Sequence, residues 1–177
     1  MPDFREQLRK CCQGRVCLLG LGNVHYGDDA FGARLAEALL QLGATAPWNP
    51  DLDPAASGGR PCCLVGGTNP ERLIGRVAER AFDHLVFLDA VEFGSAPGSA
   101  VLLDSSQMAA RFPQVSTHKA SLGLLAKWVE ANGATKAWLL GVQPESLRPE
   151  APLSAAVRQS LELLATLLGE TFTEATP

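Results

Sequence analysis

Short apolar runs alternate with amphipathic segments along most of this chain. Five runs have the length and composition of buried β-strands, at residues 16–20, 62–65, 84–88, 99–103 and 137–142. Between them the spacing of apolar residues predicts helices, at residues 30–42, 70–80, 122–129 and 153–168. Helix-containing crossovers require parallel pairing, whereas strand 99–103 follows its predecessor too closely for one and is expected to lie antiparallel at an edge. The pattern predicts an α/β fold, a three-layer α/β/α sandwich around an about five-stranded, mostly parallel sheet with one antiparallel edge strand.

A length of 177 residues predicts one domain, residues 1–177. Three segments fall outside the pattern of strands and helices. Residues 1–14 form a polar N-terminal extension with a helical turn or two, residues 44–61 a Pro/Gly-rich loop, and residues 170–177 a loose tail. The loop has room for a poorly formed edge strand.

Composition and charge exclude several classes of protein. The net charge of −4 and the absence of a basic run argue against a nucleic-acid-binding surface. No apolar run approaches the ~20 residues that span a membrane, and the N-terminus lacks the apolar core of a signal peptide, so a cytoplasmic location is expected. The five cysteines are odd in number and contain no C-x-x-C, which favours buried, reduced thiols over disulfides or a zinc site.

The stretch 18–32, LLGLGNVHYGDDAFG, joins the first strand to the first helix. Its glycines do not have the G-x-G-x-x-G spacing of a dinucleotide-binding turn, and the adjacent acids Asp28 and Asp29 would repel a pyrophosphate. Two carboxylates at the carboxyl end of a strand suit a cation, and open α/β sheets bind their ligands there. Adjacent acids are also good helix caps, so capping and cation binding are alternatives. A third alternative is that one of the two acids caps the helix and the other binds the cation.

Two further polar residues are expected at the same end of the sheet. Asp89 directly follows the apolar run 84–88, and His118 lies in a loop before a later helix. Together with the acid pair they would form a mixed oxygen and nitrogen site suited to Zn, Ni, Mn or Fe, among which the sequence does not choose. The alternatives are that Asp89 accepts backbone N–H groups and that His118 is simply exposed near a helix start.

Short motifs in a fixed order resemble those of the hydrogenase maturation protease family. They are GLGN at 20–23, GDDAFG at 27–32, GGT at 66–68, LDA at 88–90, APG at 96–98, STH at 116–118 and GVQPESL at 141–147. The resemblance runs from about residue 16 to residue 168, nearly the whole chain. One departure is Val65, where relatives commonly have Asp before Gly-Gly-Thr, which puts in doubt any role for an acid there.

The resemblance implies a cytoplasmic endopeptidase that removes the C-terminal extension of a nickel–iron hydrogenase large-subunit precursor after nickel insertion. Carried over position by position, the family's metal-binding and catalytic residues fall on Asp29, Asp89 and His118, with Asp29 rather than Asp28 at the first position. The implied nickel is supplied by the substrate and is not held permanently. The implied partner is the precursor, and nothing in the sequence requires more than a monomer.

Asn23 and Gln143, at neighbouring strand ends, are hypothesised to bind the substrate backbone through their amides, the alternative being ordinary turn bonding. A different function is also open, namely a binding module or chaperone that recognises an immature metalloprotein subunit and releases it uncut. A nucleotide-binding domain is disfavoured by the glycine spacing of the first turn.

Overall fold

The computed structural model describes residues 3–112 and 121–175. Within these ranges the strands are β1 (Val16–Leu21), β2 (Ala46–Pro47), β3 (Cys62–Gly67), β4 (His84–Ala90), β5 (Ala100–Asp104) and β6 (Lys136–Val142). The helices are α1 (Phe4–Cys11), α2 (Phe31–Gln41), α3 (Glu71–Glu79), α4 (Ser105–Arg111), α5 (Leu122–Asn132) and α6 (Ala155–Ala175). Single 3₁₀ turns occupy Gly27–Ala30 and Pro54–Ser57.

The strands form one sheet in the order β2-β3-β1-β4-β6-β5. All neighbours are parallel except β5, which lies antiparallel to β6 at the edge. The predicted mostly parallel sheet with one antiparallel edge strand is thus confirmed. The sheet has one strand more than the apolar pattern predicts. This is β2, a two-residue strand at the other edge, inside the segment 44–61.

The sheet is buried on both faces, which explains why its central strands read as continuous apolar runs. Successive residues of β1 point to opposite faces. Leu18 belongs to the apolar cluster under α1, α2 and α6, and Leu19 to the cluster under α3, α4 and α5. The chain therefore has helices on both sides of the sheet, as the three-layer prediction requires.

The first and last described helices pack more tightly than the sequence suggests. Leu8 and Cys11 of α1 are fully buried, although the surrounding extension is polar. The prediction of a loose tail from residue 170 is wrong over the described residues, because α6 continues to Ala175 and buries Phe172. Among the helices in the described ranges, none has the length and apolar character needed to cross a bilayer.

The connectivity reverses direction between β1 and β4. From β1 the chain crosses to β3 on one side, and from β3 it crosses back to β4 on the other side of β1. The carboxyl ends of β1 and β4 are in register, with Gly20 opposite Leu88. In open α/β sheets such a switch point leaves a crevice in which ligands bind.

Glycine lets α2 begin directly over this crevice. A Cβ on Gly32 would overlap the carbonyl oxygen of Leu88 and lie 2.6 Å from that of Leu21. Any side chain here would push the helix away from the strand ends, so Gly32 fixes how close the 3₁₀ turn Gly27–Ala30 comes to β4.

All five cysteines are free and buried. Burial raises the pKa of Cys17 well above its usual range and that of Cys63 to about 12. The reactive species of a cysteine is the thiolate, so we expect Cys17 and Cys63 to be unreactive in the folded protein.

A thiol-labelling experiment tests this. In native buffer at pH 8 we expect Ellman's reagent to react at most slowly with Cys17 and Cys63, and all five thiols to react at once after unfolding in guanidinium. Because the folded-state pKa values are raised, labelling of the native protein should remain slow up to about pH 9. Rapid native labelling of Cys17 would contradict the burial of β1.

Candidate functional site

The turn after β1 folds the chain back over its own strand end. Gly22 has φ = +108°, and a Cβ there would overlap the carbonyl oxygen of Asp29. The N–H of Tyr26 donates to the carbonyl oxygen of Asn23 (3.1 Å), and the N–H of Asp29 donates to that of Tyr26 (3.1 Å). These two turns carry the chain from the end of β1 to the acid pair and place Asp29 directly above Gly22.

Asp28 binds the loop between β6 and α6. Its side chain is fully buried, and Oδ2 accepts the N–H groups of Glu145 (2.8 Å) and Ser146 (3.1 Å). Oδ1 accepts the N–H of Ser154 (2.7 Å), just before α6 begins. Hydrogen bonds to a charged acceptor are stronger than neutral ones. Asp28 therefore acts as a staple that fixes loop 143–154 to the turn after β1.

Asp29 has one carboxylate oxygen satisfied and one that is not. The residue is 7% exposed, and its Oδ2 accepts the N–H of Asn23 (2.8 Å). Its Oδ1 is buried and accepts no hydrogen bond from the described residues. An unpaired buried carboxylate oxygen is costly, and where a native protein keeps one it calls for an explanation such as an ion or a ligand. The two neighbouring acids thus differ, with Asp28 bonded throughout and Asp29 left with an open ligand position.

Asp89 lies at the carboxyl end of β4, on the other side of the switch point. It is 2% exposed, and its Oδ1 accepts the N–H of Ala90 (2.9 Å). The 3₁₀ turn that contains Asp29 packs against β4. The structure therefore brings the segments that carry Asp29 and Asp89 to the same crevice, as the strand-end argument predicts.

The third predicted ligand, His118, lies outside the described residues. Within residues 3–112 and 121–175, no three His, Cys, Asp or Glu side chains are grouped closely enough to hold a metal ion. The described part of the chain thus supplies carboxylates for the proposed site, and the three-residue set of Asp29, Asp89 and His118 stays a prediction.

A pocket opens beside Asp29. Its volume is about 230 Å³, and its lining residues are Asn23, Tyr26, Asp29, Thr68 and Leu147. Tyr26 is 44% exposed and Leu147 39% exposed, high values for large apolar side chains. Tyr26 does not stand out in the sequence, because it lies in a polar loop. Leu147 ends the GVQPESL motif at 141–147, and both loops follow strands that end at this edge of the sheet.

The two amides that the sequence offered as substrate ligands have different environments. The Oε1 of Gln143 accepts the N–H groups of Phe93 (2.9 Å) and Ser95 (3.3 Å). Its Nε2 donates to Glu92 Oε2 (2.6 Å) and to the carbonyl oxygen of Pro144 (3.3 Å). Gln143 is thus engaged in loop bonding, the alternative interpretation from the sequence, and it holds the loop that follows Asp89.

Asn23 makes fewer hydrogen bonds than Gln143. Its Oδ1 accepts the N–H of His25 (3.0 Å) in a local turn, while its side chain lines the pocket beside Asp29. Its Nδ2 donates no hydrogen bond to any described residue. Substrate binding by Asn23 and by Gln143 stays a prediction, and the observed bonding favours Asn23.

Two larger pockets lie at the opposite, amino ends of the strands. One of about 380 Å³ includes Arg15 and Arg60, and another of about 440 Å³ includes Glu130 and Lys136. Neither contains an acid with an unsatisfied buried oxygen. Size alone would favour these pockets, but the chemistry favours the smaller one at the switch point.

Comparison with known proteins gives consistent matches. A family model described as hydrogenase maturation protease matches residues 59–170. The Hydrogenase 2 maturation protease of Escherichia coli K12 is 33% identical over 171 residues, covering 92% of this chain and 96% of that protein.

Two solved structures resemble this fold over most of its length. The crystal structure of the [NiFe] hydrogenase maturation protease HycI from Thermococcus kodakarensis KOD1 has a TM-score of 0.77 at 28% identity, covering 94% of this chain and 99% of that one. The hydrogenase maturating endopeptidase HybD from E. coli has a TM-score of 0.70 at 28% identity, covering 92% and 94%.

Proposed function

Since this chain belongs to the hydrogenase maturation protease family, whose members are peptide-bond hydrolases, we propose that it removes the C-terminal extension of a nickel–iron hydrogenase large-subunit precursor after nickel insertion. The proposal includes a monomeric, cytoplasmic enzyme whose macromolecular partner is the precursor. The nickel belongs to the substrate and leaves with the processed subunit.

The observation that carries the nickel part of the proposal is the unsatisfied Oδ1 of Asp29. It is buried, lines a pocket and lies at the switch point of the sheet. A cation bound there would be coordinated by an Oδ1 that is already desolvated, and it would compensate the unpaired negative charge of that carboxylate. Asp89, from the neighbouring strand, and His118 complete a set of oxygen and nitrogen donors that suits nickel.

The chain's own residues recognise, orient and position the substrate. Asp29 and Asp89 bind the substrate's ion, and Asn23 lies beside it with an amide open to the polypeptide. Nickel supplies a Lewis acid that either polarises the scissile carbonyl or activates a water, and a neighbouring carboxylate can hold the proton. Precursors without nickel lack the group that these acids recognise, which makes cleavage conditional on metal insertion.

A processing assay tests the proposal. Purified precursor, with and without inserted nickel, is incubated with the protein, and the mass of the large subunit is followed over time. We expect the nickel-loaded precursor to lose its extension and the nickel-free precursor to keep it. Equal trimming of both forms would overturn the nickel dependence.

The same assay separates the protease from the alternative of a non-cleaving chaperone. A stable complex with an uncut nickel-loaded precursor, seen by size-exclusion chromatography and intact mass, would identify a chaperone. The expected result is a shortened precursor that no longer stays bound.

A further inference from the structure

We propose that the pocket beside Asp29 is a specificity subsite that accepts one uncharged, apolar side chain of the precursor, close to the bond that is cut. The pocket is called here the Tyr26–Leu147 pocket, after its two apolar lining residues. The proposal rests on the proposed function, because it concerns the substrate of the same site.

The size of the pocket suits a side chain rather than a small molecule. Its volume is about 230 Å³, whereas pockets that bind whole small molecules occupy roughly 300–1,000 Å³. A polypeptide crossing the site would place one side chain, or at most two small ones, in this space.

The chemistry of the walls suits an apolar group. Tyr26 and Leu147 contribute the large apolar surfaces, Asn23 and Thr68 contribute neutral polar groups, and none of the described lining residues is Lys or Arg. Contiguous exposed apolar surface rimmed by polar groups is typical of a ligand-binding groove. Asp29 is the one charged residue among the described lining residues, and in the proposed function it binds the ion.

The pocket shares Asp29 with the proposed nickel site, and this ties its occupant to the precursor. A side chain in the pocket lies beside the oxygen that the substrate's ion would contact. Its residue therefore lies close in space to the substrate's nickel when the precursor is bound. Because the metal is carried by the precursor, an occupant that shares Asp29 with it is expected to belong to the precursor rather than to be a free metabolite.

The backbone segments that carry the two walls are tied together. The N–H of Tyr26 donates to the carbonyl oxygen of Asn23, and Asp28, two residues further on, accepts the N–H groups of Glu145 and Ser146 next to Leu147. Moving the two segments apart would break the hydrogen bonds of Asp28, so we expect the pocket to resist widening around a larger group.

The test is a charge swap with a matched control. Leu147→Glu puts a charge into the pocket, and Leu163→Glu makes the same change at the exposed α6 position, which is 65% exposed. We expect Leu147→Glu to lower kcat/KM for the nickel-loaded precursor by at least about tenfold, and Leu163→Glu to match the wild type. Leu147→Ala, a milder change, should give a smaller loss through KM.

The second arm identifies the side chain that is recognised. The cleavage point is read by mass spectrometry, and each residue near it is replaced in turn by Lys. At one apolar position Lys should block trimming by the wild type and be rescued by Leu147→Glu, through pairing of the two charges. Circular dichroism confirms that each variant is folded.

The outcomes separate the two proposals. If the wild type does not trim the nickel-loaded precursor, the proposed function fails. If the wild type trims, and Leu147→Glu trims as fast as Leu163→Glu or no Lys position is rescued, the subsite is wrong while the protease function stands.

Discussion

Replacing Asp29 by Asn is expected to abolish nickel-dependent trimming and to leave the protein folded, with an unchanged or slightly higher free energy of unfolding. The amide keeps an oxygen to accept the N–H of Asn23, the one hydrogen bond that the carboxylate makes. The substitution removes the negative charge of a buried carboxylate whose Oδ1 accepts no hydrogen bond from the described residues. A buried, incompletely paired charge destabilises the fold. A neutral amide is also a poor ligand for a transition metal compared with a carboxylate, so we expect a loss in rate of at least about a hundredfold.

The measurement is the rate of precursor trimming beside urea denaturation of the same preparation. Asp53→Asn is the matched control, because Asp53 also accepts a single backbone N–H, from Ala55, but is exposed and far from the switch point. His118→Gln should resemble Asp29→Asn if His118 completes the ligand set. Trimming by Asp29→Asn at the wild-type rate would remove the basis of the proposed site.

The neighbouring substitution Asp28→Asn should differ from Asp29→Asn in its effect on stability. We expect it to lower the free energy of unfolding strongly. Asp28 is fully buried and accepts three backbone N–H groups, from Glu145, Ser146 and Ser154. An amide has one accepting oxygen, so its NH₂ group must face at least one N–H donor and leave it unpaired. We expect a loss of about 2–4 kcal/mol, which for a domain of this size lowers Tm by roughly 5–15 °C.

Differential scanning calorimetry and urea denaturation measure this effect. Asp104→Asn is the comparison, because Asp104 caps α4 through a single exposed bond to the N–H of Gln107, and Asn caps helices as well as Asp does. That variant should unfold within a few tenths of a kcal/mol of the wild type. An unchanged Tm for Asp28→Asn would show that the staple contributes little to the fold.

The sheet was predictable because its signals are local. Apolar runs of four to six residues separated by amphipathic helices leave few arrangements other than a parallel sheet covered on both faces, and the short link before β5 required an antiparallel edge. The strand β2 was not counted because it has two residues and no apolar pattern of its own. The end of α6 was misjudged because the polar residues around Phe172 hide how deeply that side chain is buried.

The candidate site was only partly predictable, and the acid pair shows why. Two adjacent Asp residues have identical local signals, and only contacts with loop 143–154, more than a hundred residues away, distinguish the bonded Asp28 from the open Asp29. Gln143 was uncertain for the same reason, since its amide partners come from residues 92–95. The Tyr26–Leu147 pocket depends on two loops meeting in space, which no single stretch of sequence reveals.

The start of α6 has a consequence for the affinity of the site. Ser154 is bound to Asp28, and the hydroxyl of Ser160 donates to the carbonyl oxygen of Gly98 in the loop that follows Asp89 (2.6 Å). One helix thus anchors the loops behind both acids, and neither loop can reshape itself around an incoming polypeptide independently. Most of the conformational entropy lost on binding then comes from the precursor's tail, so stiffening that tail in its bound conformation should tighten binding.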